Sequence, residues 1–176
     1  MLKTALIYGA IAGSITIASM SIGLLFASDN GYSGGEVFGY TIMIIALTLI
    51  FIGVKRYRDQ QLGGVIKFGP AFGLGLAITA IAGVFYVIGW EINLALTDYA
   101  FMGEYSKSVI AAKEAAGVTG EELQKVINDM AALTEKYKNP VFRLPMTFLE
   151  IFPVGLLVAL LSAALLRNPK VFPARG

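Results

Sequence analysis

The sequence predicts an all-α polytopic membrane protein, an antiparallel bundle of four transmembrane helices with an extracytoplasmic helical hairpin between helices 3 and 4. Three observations predict it. Four runs, about 4–27, 37–54, 70–96 and 144–166, are long, apolar and nearly free of charge. One stretch, about 99–139, is instead polar and helically periodic. Lys and Arg gather at one set of run ends. Composition agrees: 56% of the 176 residues are hydrophobic, 15% are charged, and the mean hydropathy is +0.70. A soluble domain carries roughly 25% charged residues. The whole chain, 1–176, reads as a single membrane domain.

The first run, Thr4 to Ala27, contains no charge. At 1.5 Å per residue it spans roughly 36 Å, enough for a hydrocarbon core of about 30 Å with some tilt. It is longer than the apolar core of a signal peptide, which has about 7–15 residues, so it reads as a retained helix. Gly9 and Gly13 form a G-x-x-x-G pair, a spacing that lets helices approach closely. Residues 28–36, Ser-Asp-Asn-Gly-Tyr-Ser-Gly-Gly-Glu, read as a turn. The second run, Val37 to Val54, ends at the basic cluster Lys55, Arg56 and Arg58. Such a cluster fixes orientation, and it also suits anionic lipid headgroups. The third run opens at Gly69-Pro70, where proline costs little in a first turn, and holds one ionisable residue, Glu91.

The polar stretch holds two helices. The first is expected over about 99–116 and stops at Gly117. The second opens with Thr119 and Glu122 in capping-box spacing. Leu123, Val126, Ile127, Met130, Leu133 and Tyr137 share one stripe, and Asn139-Pro140 ends the helix. That stripe has three candidate partners: the hairpin itself, the membrane surface or another protein. The fourth run carries Pro145, Glu150 and Pro153, and Pro153 is expected to kink it.

Charge sets the orientation. With the N-terminus inside, the inner side holds Lys3, Lys55, Arg56, Arg58, Lys67, Arg167, Lys170 and Arg175, with Asp59 as its one acid. The outer side holds six basic residues but nine acids: Asp29, Glu36, Asp98, Glu104, Glu114, Glu121, Glu122, Asp129 and Glu135. The positive-inside rule then puts both termini in the cytoplasm and the hairpin outside.

The composition also excludes chemistry. No cysteine or histidine is present. Disulfide frameworks, Cys/His zinc sites and imidazole-based nucleophile systems are therefore ruled out, and no metal site or cofactor is expected. The small net charge of +2 gives no reason to expect nucleic acid. No catalytic residue stands out, and the balance leans away from an enzyme.

The residues suited to chemistry lie in the third and fourth runs. Intramembrane acids are costly and face a bundle interior or a wet cavity. Glu91 and Glu150 are the two expected at membrane depth, about 30 Å and about 24 Å from the inner end, so they could share one layer. Arg143, Thr147 and Glu150 follow at i, i+4 and i+7 on one helix face. Two readings stand open: a proton- or cation-handling site built on Glu91, Glu150 and Arg143 with Thr147, or a polar clamp that fixes helix register. The clamp is preferred, because polar pairs between membrane helices are common. Trp90, Tyr86 and Tyr99 around Glu91 read as an outer aromatic belt.

Several segments carry a resemblance: 48–59 (TLIFIGVKRYRD), 62–69 (LGGVIKFG), 85–91 (FYVIGWE), 137–140 (YKNP) and, most clearly, 146–155 (MTFLEIFPVG). Over nearly its whole length the chain resembles an uncharacterised family of small bacterial four-helix membrane proteins, known as a domain of unknown function. The resemblance implies a bacterial inner membrane and four helices, and it supplies no activity. Beside the lipid bilayer, the expected partner is a second copy or another membrane protein. The expected function is non-enzymatic, through self-association or such a partner. The alternative is a small proton- or cation-coupled transporter or channel using the intramembrane carboxylates Glu91 and Glu150.

Overall fold

The computed structural model describes residues 1–30 and 32–174, with backbone alone between 23 and 38. Six helices follow in order: α1 Leu2–Asn30, α2 Tyr32–Gln61, α3 Phe68–Leu96, α4 Phe101–Ala115, α5 Gly120–Tyr137 and α6 Pro140–Leu166. Among the described residues there is no strand. Four helices are long and apolar enough to cross a membrane: α3, α6, and the stretches Leu2–Ile22 and Gly39–Gln61 of α1 and α2.

Each of these helices runs past the expected limits. The turn expected over 28–36 is shorter, because α1 reaches Asn30 and α2 begins at Tyr32, with Gly31 outside the described residues. The side chains of Asp29 and Glu36, and all of Arg175, also lie outside them. Helix α2 does not stop at Val54 but continues through the basic cluster. Lys55 pairs with Asp59 one turn on, and Arg56 bonds Gln60, so the charged turn supports itself. Helix α6 begins at Pro140 rather than Leu144. Asn139 caps it by accepting from the Val141 N–H, and Pro140 takes a first-turn position where no N–H is needed. Both Pro145 and Pro153 lie within this one continuous helix.

The four long helices close on one core. Helix α3 packs along α1 and α6, and α2 bridges those same two helices from the other side. Leu47, Ile50, Val54, Leu74, Ile78, Ile151, Ala159 and Leu166 are fully buried there. Small residues set the spacing. Gly75 meets Ala159, Gly155 meets Thr79 and Gly83 meets the Phe148 ring, so α3 and α6 run antiparallel. Gly9 faces Ile78 and Ile81, Gly13 faces Ala82 and Phe85, and Ile17 covers Gly89, so α1 and α3 run parallel.

A Cβ on Gly13 would sit 2.5 Å from the Ala82 carbonyl oxygen, a backbone atom that cannot swing aside. Helix propensity favours Gly→Ala by roughly 0.5–1 kcal/mol, whereas overpacking costs about 1–3 kcal/mol. Gly13→Ala is therefore expected to lower stability by about 1–2 kcal/mol. At Gly73 a Cβ meets nothing within 4 Å, so Gly73→Ala is expected to be neutral or mildly stabilising. Unfolding in bilayer nanodiscs compares the two; equal effects would remove the close-packing reading of Gly13.

The start of α1 and the end of α6 lie at the end of the bundle that also carries the C-terminus of α2. At the opposite end, α4 and α5 pack on each other. Gly117 takes φ +83° and closes α4, with Val118 N–H reaching back to the Lys113 carbonyl. The expected capping box is absent. Thr119 occupies the cap position of α5, but its side chain makes no cap hydrogen bond. Gly120 takes φ +63°, which turns the chain at the point where the capping hydroxyl would face the helix. The stripe Leu123, Val126, Ile127, Met130 and Leu133 is half-buried, turned toward α4. At the base, Trp90, Leu94, Met102 and Tyr137 form a second small core that ties the pair to the long helices.

Candidate functional site

The Arg143 side chain organises the hairpin base. It rises from the first turn of α6 and is only 3% exposed. Its Nε and Nη2 donate to Glu91 Oε1 and Oε2 at 2.7 and 2.6 Å, a bidentate fork from α6 to α3. Its Nη1 donates to the Tyr137 and Lys138 carbonyls at 2.9 and 3.3 Å. Those carbonyls end α5, the negative pole of that helix, where a cation is favoured. The Tyr99 and Tyr137 rings lie 5.2 and 5.7 Å from the guanidinium carbon. One side chain thus joins α3, the α3–α4 connection, α5 and α6.

The surroundings reinforce the joint. Trp90 Nε1 donates to Tyr137 Oη at 2.7 Å. Burial pushes the Tyr137 phenol above its usual range, with the Trp90 hydrogen bond pulling the other way. Thr147, also buried, lies a turn deeper in α6 against the same tyrosine. Asp98 and Tyr99 both take left-handed conformations, at φ 49° and 56°. Such residues cost roughly 1–3 kcal/mol each unless the surroundings hold them. The Tyr99 N–H bonds the Leu94 carbonyl, and its ring lies over Arg143.

The set expected from sequence is therefore divided. Glu91 and Arg143 are a pair, with Thr147 close by. Glu150 stands apart, about 10 Å from Arg143 along α6. Its Oε2 accepts from Tyr86 Oη at 3.0 Å, and the same hydroxyl lies 2.9 Å from Met20 Sδ of α1. Glu150 is exposed. Among the described residues no cation pairs with it.

The aromatic belt expected around Glu91 is corrected. Trp90 and Tyr86 are 2% and 4% exposed and point into the protein; Tyr99 alone of the three is exposed. The signal was present, since Leu74, Ile78, Ala82, Tyr86, Trp90 and Leu94 continue one buried stripe of α3 at helical spacing.

The basic cluster is corrected in part. Lys55 pairs with Asp59 in a part-buried contact, and Arg56 donates to Tyr8 Oη at 3.3 Å on the surface. Arg58 is 0% exposed and so presents nothing to headgroups. Its Nε pairs with Asp59, Nη1 donates to the Val171 and Leu166 carbonyls at 3.1 and 3.4 Å, and Nη2 donates to the Phe172 carbonyl. It closes the C-terminal end of α6 and pins the strap that follows. Phe172 packs edge-on against Phe51 of α2. Here too the pattern foretold it, because Leu47, Ile50, Val54 and Arg58 lie in one helical phase.

An apolar groove of about 610 Å³ runs between α3 and α6, lined by Val84, Ile88, Pro140, Leu144 and Phe148 among others. Neither acid lines it.

The family model described as Protein of unknown function (DUF4199) matches residues 7–168, a span that includes every motif on which the resemblance rests. No curated protein and no solved structure matches the chain.

Proposed function

We propose that this chain, which belongs to the DUF4199 family of proteins of unknown function, crosses a bacterial inner membrane four times and acts there without catalysis, by associating with a second copy or with another membrane protein. In this reading both termini are cytoplasmic and α4 and α5 form a hairpin outside the bilayer. Support comes from the start of α1 and the end of α6 lying at one end of the bundle, the end where Lys3, Lys55, Arg56, Lys67 and Lys170 also gather.

The observation that carries the functional part is the Arg143 joint. Glu91 and Arg143, two of the three ionisable residues expected in an ion-handling site, are committed to each other and to the end of α5. Such a joint mounts the hairpin rigidly on α3 and α6. A rigid external element on a close-packed span suits docking better than turnover.

Two measurements test this. A reporter inserted at Gly117 is expected to be translocated; a cytoplasmic signal would sink the topology. Subunit counting in nanodiscs made directly from membranes is expected to find more than one chain per particle, either copies or a partner. Solitary chains throughout would reject association.

A second reading, a small proton- or cation-coupled transporter or channel, is favoured by Glu150, an acid of α6 with a neutral phenol as its partner. Flux into liposomes that vanishes in Glu150→Gln would establish it, and a tight membrane would reject it.

A further inference from the structure

Glu150 lies ten residues into α6, about 15 Å from its first residue and about 24 Å from its last. In a membrane-spanning helix that is well inside the hydrocarbon, away from headgroups and water. The position is nevertheless exposed, and it heads an exposed face: Pro153, Leu157 and Leu161 follow at i+3, i+7 and i+11. Leu157 and Leu161 are 60% and 63% exposed.

This face presents acceptors without donors. Among the described residues, Tyr86 is the one hydrogen-bonding partner of the Glu150 carboxylate, and that hydroxyl is shared with Met20. Pro153 has no N–H, so the Leu149 carbonyl beside Glu150 loses its usual helix donor. In hydrocarbon an unanswered acceptor costs free energy, and a carboxylate costs more. Whatever covers this face is therefore selected for donors, and for positive charge above all.

A second copy of the chain brings no cation to this depth, because its Lys and Arg lie at or beyond the ends of the spans. Arg143 is fully engaged by Glu91 and backbone carbonyls. Lys55, Arg56 and Arg58 belong to the opposite end. A lipid ammonium sits in the headgroup layer, about 15 Å away.

We propose that the Glu150 face of α6 is a docking surface for a transmembrane helix of a different protein, one that carries a lysine or arginine near its midpoint. The partner's cation meets the Glu150 carboxylate and the Leu149 carbonyl, while its apolar side chains pack on Pro153, Leu157 and Leu161. This deepens the association reading above and rests on it.

The test uses the full chain in phosphatidylcholine liposomes with labelled polyleucine transmembrane peptides, one bearing a single central lysine and one with leucine in its place. Energy transfer is expected to show the lysine peptide binding about tenfold more tightly. Glu150→Gln, which keeps an acceptor for Tyr86, is expected to erase the preference while the unfolding midpoint holds. Equal binding of the two peptides by the unaltered chain would overturn the proposal, as would a preference that survives Glu150→Gln. Self-association that Glu150→Gln abolishes would overturn it in favour of a second copy. A chain found with partners in native nanodiscs but blind to the lysine would refute this inference alone, leaving the association reading intact.

Discussion

Replacing Arg143 with leucine is expected to destabilise the protein by about 3–5 kcal/mol, because it strands a carboxylate whose cation is gone. Glu91, a half-buried carboxylate near the end of α3, would be left with no counter-charge. The Tyr137 and Lys138 carbonyls would lose their donor, and Tyr99 would lose the group beneath its ring. The damage is expected to concentrate in the hairpin, since its second core is small and Arg143 supplies the polar half of the joint. Hydrogen exchange reads this directly. Amides of α4 and α5 should exchange faster while those at the centre of α3 stay protected. Arg143→Lys keeps the charge but not the fork, and should lie between the two. A hairpin as protected in Arg143→Leu as in the parent would mean that its own stripe holds it in place.

Arg58→Leu is expected to cost somewhat less, about 2–4 kcal/mol, at the other end of the bundle, because carbonyls lose their donor while Asp59 keeps Lys55. Arg58 is fully buried and answers one carboxylate and three carbonyls, so its removal leaves Asp59 partnered by Lys55 alone and frees the strap after α6. Arg56, two residues earlier, bonds the Tyr8 hydroxyl at the surface, and Arg56→Ala should change stability by less than about 0.5 kcal/mol. The chain has no cysteine, so Val171→Cys, at a half-buried position whose carbonyl Arg58 holds, provides a single probe of the strap. Thiol labelling there should speed up in the Arg58→Leu background and stay at the parent rate with Arg56→Ala. Equal rates in the two would deny Arg58 its role as the pin of the strap.

These two arginines also mark where the sequence stops being readable on its own. The long apolar runs, the polar interruption and the clustering of basic residues are one-dimensional features, and the helices follow them closely. What a side chain meets depends on the rotation of each helix about its axis. Spacing along α6 put Arg143 and Glu150 on one face, but it could not decide which acid Arg143 would take. The antiparallel register fixed by Gly75 on Ala159 and Gly155 on Thr79 brings Glu91, rather than Glu150, to the arginine. Arg58 and Trp90 misled for a different reason. Each has a residue type expected at a membrane edge, yet each continues a buried stripe, and phase outweighs type. The extra turns of α2 came from a salt bridge within the helix, which hydropathy does not register.

Glu91 and Arg143 form the joint that mounts the hairpin, and a double-mutant cycle asks whether they act as one unit. If they do, removing the second partner relieves the charge stranded by removing the first. Glu91→Leu with Arg143→Leu should then be more stable than Arg143→Leu alone by about 2 kcal/mol in nanodiscs, with slower exchange restored in part to α4 and α5. Additive losses, leaving the double variant the least stable of the set, would contradict the joint and leave both residues free to serve an ion pathway.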